Sequence, residues 1–437
     1  MEKIFVRKRA MSAIIALTVA VAFTACGNNQ LNTEETNNPL ETVQTEQFTP
    51  AGSLRMLQPS GQISPGGAGK DGFYTLTAWS WSDDSFNLAY ADYQSHQVVF
   101  LCAQPNCTHD SDSCNSYVKP ITGGLKPEVI GDKLVLFYLG NRGFSPDSGV
   151  NTLPHIEVCE LDGSNRHTTL KFDSLSEIEL PMVTDETYIY AKLLQYTVNG
   201  KESKLIRIDP EQTAYDVICD LDDNCLENIC GCTGEKLVLE RVTPEFGGSF
   251  EYEYYDLSAL EREAFYKWTM QSNSQQASPI PYKDAVVIMD TSETNRIRRI
   301  DYATGKEKVL DCYELPAPDG WLMHSIYEAE DGHILFLEEN YKGGYTGQFY
   351  AVDCTNDQII PWDLTYDYAG EKLPAAIVAE ADPEHYFVIQ SEEIARQQSL
   401  EGSSNIQISQ KNFALISKED YWSGIPNFIS FENRAMP

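Results

Sequence analysis

The sequence predicts an all-β fold arranged as a β-propeller, on three observations. A short apolar strand opened by a turn pair recurs along the chain, each copy is followed by a strand ending in an acidic residue, and no long stretch sustains a helical period. The opening strands begin at Gly72, Gly131, Asp185, Gly234, Lys283, Asp331 and Pro383. Typical copies read Gly131-Asp132-Lys133-Leu134-Val135-Leu136-Phe137 and Gly234-Glu235-Lys236-Leu237-Val238-Leu239. The acidic ends stand at Asp92, Glu160, Asp209, Asp256, Asp301 and Asp353, and from Glu160 onward they are 45 to 52 residues apart. A period of that length carrying several strands suits propeller blades. A four-stranded sheet has two apolar faces, and a ring of such sheets buries both while leaving only short edges. Seven copies predict seven blades; six or eight also fit the period. The last copy, near Ala414–Lys418, reads as degenerate, and Leu257–Met270 reads as a short helical insertion holding Leu260, Phe265 and Trp268.

The bulk composition agrees. A chain of 437 residues is long for one domain unless it is built from repeats. Hydrophobic residues make up 42%, enough for a core, and 24 tyrosines lean toward strands. A formal charge of −33 repels phosphate backbones, which disfavours nucleic-acid binding. The acidity suits solubility at a cell surface; the sharper reading is recruitment of cations or basic partners.

The N-terminus predicts export. Lys3, Arg7, Lys8 and Arg9 precede the apolar run Met11–Phe23, which has the length of a signal core and is short for a membrane span. It ends in Phe23-Thr24-Ala25-Cys26-Gly27. Small residues followed directly by Cys resemble a bacterial lipobox, with Phe23 where Leu is usual. That resemblance implies lipidation of Cys26, its exposure as the first mature residue, and anchorage on the extracytoplasmic face of the cell membrane. The residues up to about Pro50 are rich in Asn, Thr, Glu and Gln and read as a tether spanning roughly 25–30 Å. The expected division is therefore signal peptide 1–25, lipidated Cys26 and tether 26–50, and propeller 51–437.

With these features the chain resembles the lipid-anchored β-propeller proteins of Gram-positive bacteria, a group related in pattern to TolB-like and YWTD-like propellers. The resemblance covers Asp71 onward plus the lipobox. It implies a fold and a surface location, and no activity, because propellers host many functions.

One motif carries specific chemistry. Cys102, Cys107, His109 and Cys114 form C-x4-C-x-H-x4-C in the loop that leaves the first repeat. Three thiolates and an imidazole suit a tetrahedral Zn2+ site, and four protein ligands make it structural rather than catalytic. A disulfide between two of the three cysteines, or free thiols, are the competing readings outside the membrane. Cys219, Cys225, Cys230 and Cys232 gather near one blade junction, and Cys230 and Cys232 are expected on one strand face.

Other patterns are weaker. Gly67–Gly72 matches G-x-G-x-x-G but precedes a strand. Asp220–Asn224 opens like a calcium loop, yet Cys225 stands where the turn requires Gly. Trp79 with Trp81, and Tyr252 with Tyr254 and Tyr255, offer aromatic surfaces for a sugar or peptide, or pack between blades. The seven histidines are scattered, with no H-E-x-x-H and no G-x-S-x-G. The expected function is a binding or scaffold module for an unidentified protein or glycan ligand. Its rival is an extracellular glycan lyase or hydrolase with polar groups gathered at the channel mouth.

Overall fold

The computed structural model describes residues 48–57, 66–77, 85–119, 124–139, 153–172, 176–197, 200–222, 225–243, 248–269, 279–290, 296–310, 322–340, 346–368, 371–399 and 405–435. Cys26, Trp79 and Trp81 lie outside them.

Seven antiparallel four-stranded sheets follow one another in chain order. Blade 1 runs Gly66–Ala68, Gly72–Leu76, Phe86–Asp92, Gln97–Phe100. Blade 2 runs Leu125–Ile130, Lys133–Tyr138, His155–Glu160, His167–Lys171. Blade 3 runs Ser176–Thr184, Ile189–Thr197, Gly200–Ile208, Tyr215–Asp220, and blade 4 Leu226–Thr233, Lys236–Thr243, Ser249–Asp256, Glu261–Thr269. Blade 5 runs Pro279–Pro281, Ala285–Asp290, Arg296–Asp301, Glu307–Leu310, and blade 6 Leu322–Glu330, His333–Asn340, Thr346–Asp353, Gln358–Trp362. Blade 7 runs Ala376–Asp382, His385–Ser399, Asn405–Ser417, Ile429–Ser430. The chain is a seven-bladed β-propeller. The opening strands read from the sequence are the second strands of the blades.

The acidic strand ends explain themselves as turn caps. The carboxylates of Asp92, Asp209, Asp256, Asp301 and Asp353 accept backbone N–H groups two or three residues ahead, at 2.7 to 3.0 Å for Gln94, Glu211, Ser258, Thr304 and Thr355. A side chain that satisfies its own turn fixes the hairpin without help from the core.

Seven hydrophobic clusters fill the seven blade interfaces. Phe137 and Ile156 of blade 2 meet Ile189 and Ile206 of blade 3, and Trp362 of blade 6 meets Tyr386 and Tyr421 of blade 7. The ring closes where Phe73 and Ala91 of blade 1 meet Phe387, Phe413 and Phe431. Glu432–Asn433 then pairs in parallel with Gln97–Phe100 and latches the C-terminus to blade 1. At the other terminus Arg55–Met56 adds a fifth strand to the inner edge of blade 3. Packing starts at Phe48, which is 2% exposed and lies under the Arg207 guanidinium.

Three expectations are corrected. Leu257–Met270 is not helical. Glu261–Thr269 is the outer strand of blade 4, paired with Ser249–Asp256, and Leu260 takes the left-handed turn between them at φ 56°. Its Phe265 and Trp268, three residues apart, both pack on the blade 4/5 core because a bulge at Phe265 interrupts the strand's alternation. The last copy is not degenerate: Asn405–Ser417 pairs fully with its neighbour. Cys230 and Cys232 do not share a face. A bulge between Ile229 and Gly231 shifts the alternation, so Cys230 joins the blade 4/5 core and Cys232 the blade 3/4 core. Gly231 is required there, because a Cβ would sit 2.4 Å from the Tyr302 ring.

Candidate metal centre and the central channel

Both ends of the cysteine loop are tied to the third strand of blade 1. Leu101 N–H donates to Leu88 O at 2.9 Å, Leu88 N–H donates to Ser116 O at 2.7 Å, and Asn87 pairs with Tyr117. Between these anchors Asn106 and His109 take left-handed backbone, at φ 59° and 57°, which curls the loop on itself. The result brings together all four residues predicted from the sequence. The ligand atoms of Cys102, Cys107, His109 and Cys114 all lie within 4.8 Å of one another.

The donor set fits a tetrahedral ion. Zn–S and Zn–N bonds of about 2.3 and 2.0 Å require ligand atoms about 3.5–3.8 Å apart. His109 Nδ1 and Cys114 Sγ are 3.2 Å apart. The imidazole stacks on Phe100 with ring centroids 4.3 Å apart, which holds its orientation. Ser116 Oγ lies 3.0 Å from Cys114 Sγ and 2.8 Å from Asn87 Oδ1, and its one O–H can be donated to either. The thiols differ electrostatically. Burial pushes Cys102 up to about 11. Burial acts in the same sense on Cys114, but hydrogen bonding from Ser116 and His109 outweighs it and holds that thiol down to about 6. Ser116, Asn87 and Phe100 were not legible as partners, because only the fold brings the blade 1 strand beneath the loop. All nine described cysteines are free thiols, including Cys219, Cys225, Cys230 and Cys232.

The central channel is the second concentration of chemistry. A cavity of about 680 Å3 is bounded by the inner strands of the blades and by the Arg55–Met56 strand. Its charges largely pair: Arg55 with Glu186, and Lys283 with Glu330 and Glu380. Glu128 stands apart. It is 1% exposed, its Oε1 makes no hydrogen bond, and its ion pair with Lys126 is long at 3.8 Å. Burial pushes Glu128 up to about 8 and Lys126 down to about 8, each against the pull of the other's charge. The sequence signal was there, two charges inside the run Leu125–Ile130.

A pH prediction follows from Glu128. Its folded pKa lies above the unfolded value of 4.5, so between about pH 4.5 and 8 the folded state holds the extra proton. Stability therefore falls as pH rises through that window. Glu128→Gln removes this dependence. Its unfolding free energy relative to wild type is expected to climb from pH 5 to pH 8, with a slope of at most about 1.4 kcal/mol per pH unit. A difference that stays flat across the window would refute the assignment.

The other sequence candidates resolve as structure. Gly67–Gly72 is a hairpin, with Gly69 N–H donating to Gly72 O. Asp222, in the calcium-like stretch, pairs with Arg241 instead. Tyr252 and Tyr255 are buried between blades. The described histidine side chains are dispersed, His333 stacking on Trp422 and His385 pairing with Asp382.

Among solved structures, this chain has matches of low sequence identity. It is similar to a puromycin-hydrolyzing peptidase of Mycobacterium tuberculosis, at TM-score 0.49 and 9% identity, over 91% of this chain and 56% of that one. It is similar to the β-propeller domain of the Trilobed protease from Pyrococcus furiosus, at 0.44 and 10%, over 88% and 100%. TolB from Acinetobacter baumannii follows at 0.34 and 12%, over 82% and 81%. The chain thus spans about half the length of the peptidase it matches. No family model and no curated protein matches it. The blade count stands on strand pairing and the seven filled interfaces, and the TolB-like expectation holds at the level of the propeller.

Proposed function

We propose that this protein is a lipid-anchored, extracytoplasmic binding module, held to the cell membrane through Cys26, whose Cys102/Cys107/His109/Cys114 loop is closed by a structural Zn2+. The observation that carries the reading is the convergence of those four ligand atoms within one loop anchored at both ends to blade 1. A closed Cys3His set leaves no open coordination position, so the ion would shape a surface rather than activate water. The pairing of most channel charges supports the same reading, because paired groups are not poised for proton transfer. The partner is an unidentified protein or glycan; the acidic surface argues against nucleic acid.

The test is a glycan and peptide array probed with detergent-extracted full-length protein. Reproducible saturable hits are expected; none across both arrays would end the binding reading. Membrane attachment is tested separately. Cys26→Ala is expected to move at least about nine-tenths of the protein out of the membrane fraction, since the acyl chains supply the anchoring energy. Retention of the variant in membranes would refute lipid anchorage.

A second reading, an extracytoplasmic glycan lyase or hydrolase, is favoured by Glu128. A buried carboxyl held near neutral in a cavity is the kind of group a general acid needs. Turnover of any array glycan that Glu128→Gln abolishes would shift the assignment to this reading.

A further inference from the structure

We infer that the cleft between the cysteine loop and the outer strands of blade 2 is an oxyanion-binding site, taking a small molecule that bears a carboxylate or a phosphate. The inference rests on the binding-module reading and gives it a place and a ligand chemistry.

The cleft arises from a shortfall of blade 1. Adjacent blades pack sheet against sheet, and Tyr74, Leu88 and Val118 of blade 1 do so against Leu134, Leu136 and Cys159 of blade 2. Blade 1 then ends early. Its outer strand, Gln97–Phe100, is only four residues long, and the chain turns into the cysteine loop. The outer part of blade 2 on that side is left facing the loop across a cavity of about 700 Å3. Cys114 and Asn115 form one wall, and Tyr138 and His155 on blade 2 strands with Arg166 in the turn before the outer strand form the other. The walls touch at the turn, where Gly163 packs on Leu101 and Asn115.

The charge in this cleft runs against that of the molecule. The chain carries 65 acidic and 32 basic residues, a two-to-one excess of acid. The cleft reverses the balance, with Lys119, Arg166 and Lys171 against Asp112 and Glu157, and His155 besides. Lys119 is taken by Asp112 at 2.7 Å. Glu157 accepts the Tyr138 hydroxyl at 3.0 Å and lies 3.5 Å from Arg166 Nε, too long for a strong bidentate pair. Arg166 lines the cleft with a side chain 23% exposed, and its buried Nη1 makes no hydrogen bond among the described residues. Lys171 makes no ion pair among the described residues. A guanidinium N–H without an acceptor is costly, and a carboxylate or phosphate oxygen is the acceptor it suits. Tyr138 and His155 stack 4.0 Å apart beside it, giving the ligand's carbon skeleton a flat surface to lie on. A cleft with an excess of basic groups on an otherwise acidic chain also favours an anion there over the average surface.

The experiment is titration calorimetry on the zinc-loaded full-length protein with inorganic phosphate, D-glucuronate and sodium chloride at matched ionic strength. Saturable binding of phosphate or glucuronate, absent for chloride, is expected. Which of the two binds more tightly sorts phosphate from carboxylate. Arg166→Met is expected to weaken binding at least about tenfold, which corresponds to about 1.4 kcal/mol. Lys171→Met is expected to weaken it less, and Arg434→Met, an exposed pair with Glu432 at the C-terminus, not at all. No saturable binding of either anion, or equal binding by wild type and Arg166→Met, overturns the inference. The two failures stay separate. Array hits that persist in Arg166→Met leave the module a binder and dismiss this cleft, whereas the absence of both array hits and anion binding removes the binding reading itself.

Discussion

Phe387→Ala is expected to destabilise the fold by about 3–5 kcal/mol, at the upper end for a core truncation. Phe387 is fully buried where the last blade meets the first. Its ring lies 5.0 Å from Phe413, 5.2 Å from Phe431 and 5.3 Å from both Phe73 and Tyr93. Truncation would leave a cavity walled by four aromatic rings, which cannot collapse without moving a whole blade. The position also matters topologically. Every other interface joins blades that are consecutive in the chain, whereas this one joins the two ends. The short parallel pairing of Glu432 and Asn433 with Gln97 and Val98, and the Arg434 and Ala435 N–H groups donating to Val98 O, assist it. A conservative change at an ordinary interface, Ile300→Val between blades 4 and 5, should cost only about 0.5–1.5 kcal/mol. Urea unfolding checks both, and C-terminal proteolysis should rise in Phe387→Ala alone. A midpoint for Phe387→Ala equal to that of Ile300→Val would show that ring closure carries no special weight.

How much of the molecule is legible in its sequence depends on how local each determinant is. The second strands of the blades are legible because they are buried on both faces and bounded by turns. The acidic strand ends are legible as a repeat, and their cause is equally local, an aspartate capping its own hairpin. The inner strands are not. They border the channel, so they interleave charge with apolar residues, as in Leu125–Ile130 with Lys126 and Glu128, or Leu322–Glu330 with Glu328 and Glu330. Strict alternation also fails at the bulge beside Cys230, where one extra residue turns the next side chains over. The cysteine cluster is legible because all its ligands sit in one loop. The channel group is not, because Arg55, Glu128, Lys283 and Glu380 come from four separate parts of the chain and meet only when the ring closes.

That same locality shapes what loss of the metal should do. Cys114→Ala is expected to drop zinc content from about one equivalent to below about a tenth, because three ligands bind far less tightly than four. In zinc-finger peptides the ion contributes about 10–16 kcal/mol and the peptide is unfolded without it. Here the consequence should be confined. The loop meets the ring through the Leu101–Leu88 and Leu88–Ser116 hydrogen bonds and the Phe86–Val118 pairing, and the blade 1/2 core beneath does not depend on it. Cys114→Ala, or wild type treated with chelator, should therefore unfold within a few degrees of the loaded protein, while proteolysis within 102–116 rises at least about tenfold as the loop opens locally. Mass spectrometry of the native protein separates the rival chemistry. A bound zinc adds the mass of the metal and leaves with chelator, whereas a disulfide subtracts two hydrogens and responds to reductant alone. Finding the second pattern and no metal would replace the ion with a covalent staple. The loop would still be closed, but by two of the three cysteines, and His109 would then have no reason to face Cys114.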